Sequence, residues 1–315
     1  MGKDIRDSFF DKIYEMACEN KNIIFISADA DAFSLKKFKE NLPDQFINVG
    51  VAEQNMALVA TGLALSGKTV FIYSITSFIA MRCFEQIKVN ICSMNLPVAI
   101  VGLGSGYSFS YDGPTHHATQ DIAIMRTLPE IKILNPCDEK SAEHAAKECC
   151  SASSPVYVRI DKGEHNDIYG EQDCEIGLKE VSSNTKIKLI STGYMSHKMQ
   201  KMNKRLLESN WFKKHNISFD LIDIYKLKPL NTKKLVEILS DADLILTVEE
   251  NTSIGNLGSM MCELLVDNSI KTPLKRFSLQ DSQEFRYASR DWLIENSGLD
   301  GGSIIQAIRS FIDGR

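Results

Sequence analysis

Short β-rich runs alternate with helix-patterned stretches along the whole chain, and no other feature constrains the fold as tightly. In the first half, apolar and β-branched runs at 23–27, 46–49, 69–73, 98–101, 131–134 and 156–160 are expected to be strands. Helical patterns near 7–19, 53–66, 78–93, 120–127 and 139–150 separate them. Strands joined through helices pair in parallel by right-handed crossovers, and a sheet covered on both faces needs apolar residues along its strands. Over 162–185 the pattern lapses into polar, Gly-containing sequence. It resumes with strands at 188–191, 218–222, 244–248 and 274–277 and helices near 195–209, 232–239, 257–266 and 303–312. The expected fold class is therefore α/β, with two doubly wound domains: 1–165, a linker over 166–185, and a smaller domain over 186–315.

A length of 315 residues lets each domain bury its own core. The net charge of −5, without basic clusters interleaved with aromatics, argues against nucleic acid as a partner. No apolar run has the length of a membrane span, and the first residues, Met1-Gly2-Lys3-Asp4, do not read as a signal peptide. The eight cysteines show no metal-ligand spacing, and several lie in apolar segments as reduced thiols do. The expectation is a cytoplasmic protein without a metal site of its own.

Chemistry concentrates at a few places. In Gly50-Val51-Ala52-Glu53-Gln54-Asn55-Met56-Ala57, a glutamate opens a helix with almost no polar face. A helix apolar nearly all round is buried, and an isolated buried carboxylate costs several kcal/mol unless paired or protonated. Glu53 is either used by the protein or satisfied by the backbone N–H groups of its helix terminus. A second dense stretch runs from Gly102 to His117, after a strand and before a helix. It carries Asp112, His116 and His117, and adjacent histidines point different ways, so one of them is expected to face a site. Its glycines let backbone approach a ligand closely, but their spacing is no phosphate-binding fingerprint. Arg159 interrupts a strand and Arg6 precedes the first helix; each could clamp an anion or form a structural ion pair. Tyr73, Phe78 and Phe84 bracket another apolar helix start, where core packing is the ordinary reading. Glu249-Glu250-Asn251, at a strand end before a Gly-rich turn, could bind a ligand or simply build a loop.

Taken together and in this order, Val49-Gly50-Val51-Ala52-Glu53-Gln54-Asn55, Ser77-Phe78 and Asp112-Gly113-Pro114-Thr115-His116 resemble the pyrimidine-binding domain of transketolases and deoxyxylulose-phosphate synthases. Thr247-Val248-Glu249-Glu250-Asn251 resembles their C-terminal domain, so the similarity covers the chain. The resemblance implies a thiamine diphosphate enzyme in which Glu53 hydrogen-bonds N1′ of the cofactor's aminopyrimidine and so activates the thiazolium carbon. Burial favours the protonated carboxyl that this role needs, against the opposing pull of the helix N-terminus. By matching position, Phe78 forms the aromatic wall on the pyrimidine with Phe84 assisting, and Asp29 lies near the cofactor. Asp112 and His116 meet the donor sugar's hydroxyls, His116 its nascent carbonyl. Arg159 holds the phosphate end, with Arg6 as a second anionic contact.

Three departures qualify that picture. Met81 stands where many transketolases stack a further aromatic, and Gly104 where they place a phosphate-binding histidine. The sequence also lacks a Gly-Asp-Gly followed by the Asn that holds Mg²⁺ and the diphosphate in this family. The resemblance therefore implies the C-terminal subunit of a split transketolase, a transferase of two-carbon ketol units from a ketose, with or without phosphate, to an aldose. A separate chain would hold Mg²⁺ and the diphosphate, the pair assembling as a heterotetramer. Alternatives are a deoxyxylulose-phosphate-synthase-like or 2-oxo acid-using subunit, and a noncatalytic regulatory homologue.

Overall fold

The computed structural model describes residues 3–182, 185–208 and 218–313, and the expected helix end at Ser209 lies outside them. The strands are β1 (Ile23–Ser27), β2 (Phe46–Asn48), β3 (Thr69–Ile75), β4 (Val98–Leu103), β5 (Lys132–Leu134), β6 (Val156–Ile160), β7 (Leu178–Glu180), β8 (Ile187–Ser191), β9 (Asp220–Ile224), β10 (Lys226–Lys228), β11 (Leu244–Thr252) and β12 (Leu274–Leu279). They form two sheets, in the orders β10-β5-β6-β4-β3-β1-β2 and β12-β11-β8-β9-β7. Every pairing among β1 to β6 is parallel. β1 and β6 are buried at every position, which is why they read as unbroken apolar runs.

One face of the larger sheet packs on helices Ile5–Glu19 and Glu139–Cys150, with Phe9, Phe10, Phe25, Phe71 and Tyr73 at its centre. The opposite face packs on helix Glu53–Leu65 through Ile24, Ile26, Val70, Ile72 and Met56, in a cluster continuous with Ile190, Ile222 and Ile245 of the smaller sheet and Met260 of helix Leu257–Asp267. The two sheets thus share a core.

Local structure departs from the sequence expectations in four places. The segment 166–185 carries helix Glu171–Ile176 and then β7, an antiparallel edge of the smaller sheet. β10, from the second half of the chain, adds an antiparallel edge to the larger sheet beside β5. The helix expected over 78–93 divides into π-type turns Phe78–Arg82 and Ile87–Cys92 around a short α-helical turn Phe84–Gln86. Helix Glu53–Leu65 is also not buried all round, because Leu58 and Leu65 are about half exposed. Its first residue, Glu53, is buried as expected.

Along the larger sheet the chain moves from β1 to β2 on one side and then to β3 on the other. The carboxyl ends of β1 and β3 therefore flank a switch in strand order, where doubly wound sheets form their crevices. The loops after β1, β3, β4 and β6 carry Asp29, Phe78, the 104–117 stretch and Lys162 to that same edge.

Candidate active site

Glu53 is 1% exposed. Ser74 Oγ, near the end of β3, donates to its Oε1 at 3.1 Å, and Arg82 Nη1 donates to its Oε2 at 2.7 Å. The Arg82 guanidinium carbon lies 4.3 Å from the centroid of the Phe78 ring. Phe78 in turn meets the edge of His116 at 5.0 Å between centroids, and His116 lies 6.0 Å from Phe109. A buried carboxylate, an aromatic face and an imidazole thus stand in one chain of contacts, from the helix after β2, the turn after β3 and the loop after β4. Residues four apart on a helical turn share a face, which sets Arg82 against Phe78.

The adjacent histidines diverge. His116 is half-buried beside Phe78, with Thr115 Oγ1 3.0 Å from its Nδ1, whereas His117 is buried edge-on to Tyr107 at 4.8 Å. Burial lowers the His117 pKa. Asp112 lies exposed on the same loop. Beyond it, the Lys162 ammonium sits 4.3 Å from the Phe109 centroid, and its pKa is lowered by burial and by the neighbouring Arg6. Arg6 pairs with Asp7 at 3.3 Å. Lys162 thus places a cation beside the 104–117 loop, with Arg6 near enough to act on its charge. The sequence offered no signal for Lys162 beyond a lysine in a polar stretch, and none for Arg82.

Three further expected site residues have partners of their own. Phe84 is partly buried against the core. Asp29 has a left-handed backbone (φ 56°) at the end of β1, and its carboxylate accepts from Asn48 Nδ2 at 3.2 Å. Strained backbone of this kind gathers at functional edges. Arg159, expected at the phosphate end, is only 3% exposed. Its Nη2 donates to Asp121 Oδ1 at 3.2 Å, the Ala118 carbonyl at 2.9 Å and Asn251 Oδ1 at 3.2 Å. With Nε 2.9 Å from Asp121 Oδ2, the Nε/Nη2 edge of the guanidinium is taken by the Asp121 carboxylate and offers no free fork there to a sugar phosphate.

The Glu249-Glu250-Asn251 spot joins the two sheets. Glu249 accepts from the Leu257 and Gly258 N–H groups at a helix start, and burial pushes its carboxyl up to about 7. Glu250 Oε1 accepts from Tyr107 N at 2.9 Å and Glu250 Oε2 from Arg290 Nη2 at 2.7 Å. A Cβ at Gly106 (φ +49°) would lie 2.3 Å from Glu250 Cδ, so that glycine admits the glutamate rather than a ligand. Arg290 Nη2 also donates to Asp161 Oδ2 at 2.7 Å. Burial raises the Asp161 carboxyl, but Arg290 more than offsets it, to about 2 against an ordinary 3.8. An acid depressed in the folded state contributes stability that is present above its unfolded pKa and lost as pH falls through the folded one. The apparent melting temperature is therefore expected to fall as pH drops from about 4 to about 2, less steeply in Asp161→Asn, by scanning calorimetry.

Among the described residues, no three His, Cys, Asp or Glu side chains converge on a metal-sized site, and no helix is long and apolar enough to cross a membrane.

Comparison with known proteins bears on this arrangement. The family model for the transketolase pyrimidine binding domain matches residues 2–166, and that for the transketolase C-terminal domain matches 177–304. One of the subunits of the apulose-4-phosphate transketolase of Phocaeicola vulgatus is 29% identical, over 98% of this chain and 97% of its own length. The 1-deoxy-D-xylulose-5-phosphate synthase of Caldanaerobacter subterraneus subsp. tengcongensis is 30% identical, but this chain spans only 49% of it. Among solved structures, a split gene transketolase described as an inactive beta4 tetramer superposes with TM-score 0.85 and 27% identity, over 99% of both chains. A Pichia stipitis transketolase shares the fold at TM-score 0.80 and 15% identity, this chain covering 46% of it.

Proposed function

This chain belongs to the transketolase family, and from that premise we propose that it is the C-terminal subunit of a split, thiamine diphosphate-dependent transketolase. It would move a two-carbon ketol unit from a ketose to an aldose, in the cytoplasm, together with a separate subunit that holds Mg²⁺ and the diphosphate. The observation that carries the reading is the buried Glu53 carboxylate joined through Arg82 to the Phe78 ring, with His116 edge-on to the same ring. The Phocaeicola vulgatus subunit matches this chain nearly end to end, and the two family models account for most of it. The division at 1–165, 166–185 and 186–315 is proposed with this reading, the middle segment lending β7 to the smaller sheet.

The residues present fit the cofactor's pyrimidine. A planar, hydrogen-bonding group, the Arg82 guanidinium, already fits between Glu53 and Phe78. When bound, thiamine diphosphate supplies the carbon nucleophile. Glu53 holds the hydrogen bond to N1′, and Phe78 supplies the ring wall, with Phe84 behind it. His116 and Asp112 orient the donor's hydroxyls, with Asp29 at the rim. Lys162 and Arg6 attract its anionic end, the part Arg159 is too buried to play. Exposed apolar side chains on or next to the elements that carry Glu53 and Phe78 (Val51, Leu58, Met81 and Val89) provide a surface on which a second chain would complete the site and exclude water.

Co-expression with a diphosphate-binding subunit is expected to give turnover of ketose donors that neither chain gives alone. Tight, Mg²⁺-dependent thiamine diphosphate binding by this chain alone, read by calorimetry, would overturn the split assignment. In the reconstituted pair, Lys162→Ala is expected to raise KM for a phosphorylated donor about tenfold, the loss of one charge-assisted hydrogen bond. Steady-state kinetics with an unphosphorylated donor should show little change.

A further inference from the structure

We propose that Arg82 is a place-holding residue, engaging Glu53 and Phe78 through the two contacts that the cofactor's pyrimidine would make and giving way to that ring when thiamine diphosphate loads. This rests on the functional reading above. A pyrimidine that hydrogen-bonds Glu53 and stacks on Phe78 needs one carboxylate oxygen and one aromatic face. Both are engaged by the same guanidinium, at 2.7 Å to Glu53 Oε2 and 4.3 Å to the Phe78 centroid. Guanidinium is planar, delocalised and weakly hydrated, so it stacks on a ring and donates in its own plane, as a flat heterocycle does.

The chain has reason to keep such a group. Without Arg82, Glu53 would retain only the Ser74 hydroxyl, and a buried carboxylate lacking its charge partner is strongly disfavoured. Arg82 itself is 43% exposed on its side chain, so it can leave Glu53 for water without stranding its own charge. Its position in a π-type turn, Phe78–Arg82, sets it on a segment whose backbone hydrogen bonding is already irregular. The site therefore has two favourable arrangements, Glu53 paired with Arg82 or Glu53 paired with the pyrimidine, and a poor one between them. A binding-competent state that is only fractionally populated lowers apparent affinity by that fraction. Arg82 thus tunes cofactor loading and keeps Glu53 poised, acting as a positioning residue.

The test compares the reconstituted pair carrying wild-type chain, Arg82→Gln or Arg82→Lys, titrated with thiamine diphosphate and Mg²⁺ in a calorimeter. Arg82→Gln is expected to bind the cofactor about tenfold more tightly, because the competitor is gone. The same variant alone should melt at a lower temperature than wild type, because Glu53 has lost its partner. Arg82→Lys keeps the charge but not the planar stack, and should fall between the two in both measurements; it decides the question if the glutamine variant does not fold. Equal or weaker cofactor binding in the folded variants overturns the proposal and leaves the transketolase reading standing. Failure of the wild-type pair to bind thiamine diphosphate overturns both.

Discussion

Glu53→Gln is expected to lower ketol transfer by the reconstituted pair about a thousandfold, within the range that a positioned proton-transferring group contributes. Glutamine keeps the shape of the side chain and can still accept from Ser74 Oγ, now 3.1 Å from Glu53 Oε1. It cannot hold the shared proton that the N1′ contact requires. The stability effect should be small by comparison. Glu53 is buried, but its ion-pair partner Arg82 is 43% exposed and reaches water when the carboxylate is removed. A half-exposed guanidinium that loses its partner is solvated at little cost, whereas the reverse loss would strand the buried carboxylate. Activity and melting temperature should therefore separate: a large loss of kcat with a folded chain and cofactor binding still measurable by calorimetry. Turnover within a few-fold of wild type would sink the catalytic assignment of Glu53. Glu53→Ala is the weaker test, since it also removes the atoms that fill the space beside Ser74.

The parts readable from sequence are those set by near neighbours. β1 and β6 are buried on both faces, so their composition alone marks them. Glu53 stands at a helix start among apolar residues, and its burial follows from its immediate surroundings. His116 and His117 diverge as adjacent residues must. What could not be read depends on partners distant in the chain. β10 is three residues long, and its place beside β5 is set by pairing with residues about ninety positions away. Glu250 closes on the Gly106–Tyr107 turn, 143 residues earlier, and no local pattern distinguishes that from ligand binding. The outward apolar face at Leu58 and Leu65 misled the expectation of a fully buried helix because apolar periodicity does not say whether the covering group is in the same chain. Arg82 was hidden for another reason: one cation four residues after Phe78 has an ordinary solvent-facing reading until its contacts are seen.

Arg159 supplies the sharpest separation between stability and substrate binding. Arg159→Ala is expected to destabilise the chain by about 3–5 kcal/mol, the usual effect of stranding one member of a buried pair. The stranded group is Asp121, fully buried, whose Oδ2 lies 2.9 Å from Arg159 Nε and also accepts from Tyr157 Oη at 2.7 Å. Loss of the Asn251 contact at 3.2 Å removes a tie between the sheets as well. At about 2–4 °C per kcal/mol for a chain of this order of size, the apparent melting temperature should fall by roughly 10 °C. Replacing both partners, as in Arg159→Met with Asp121→Leu, should recover much of that loss, because no charge is left buried alone. Calorimetry on the two single variants and the double variant measures the coupling directly. KM for a phosphorylated donor at a temperature where each variant is folded should change little with Arg159→Ala and markedly with Lys162→Ala. The opposite pattern, an unchanged melting temperature with a tenfold rise in KM for Arg159→Ala alone, would return the phosphate grip to Arg159. It would also require the Asp121 pair to open when substrate binds, which a guanidinium held by three acceptors resists.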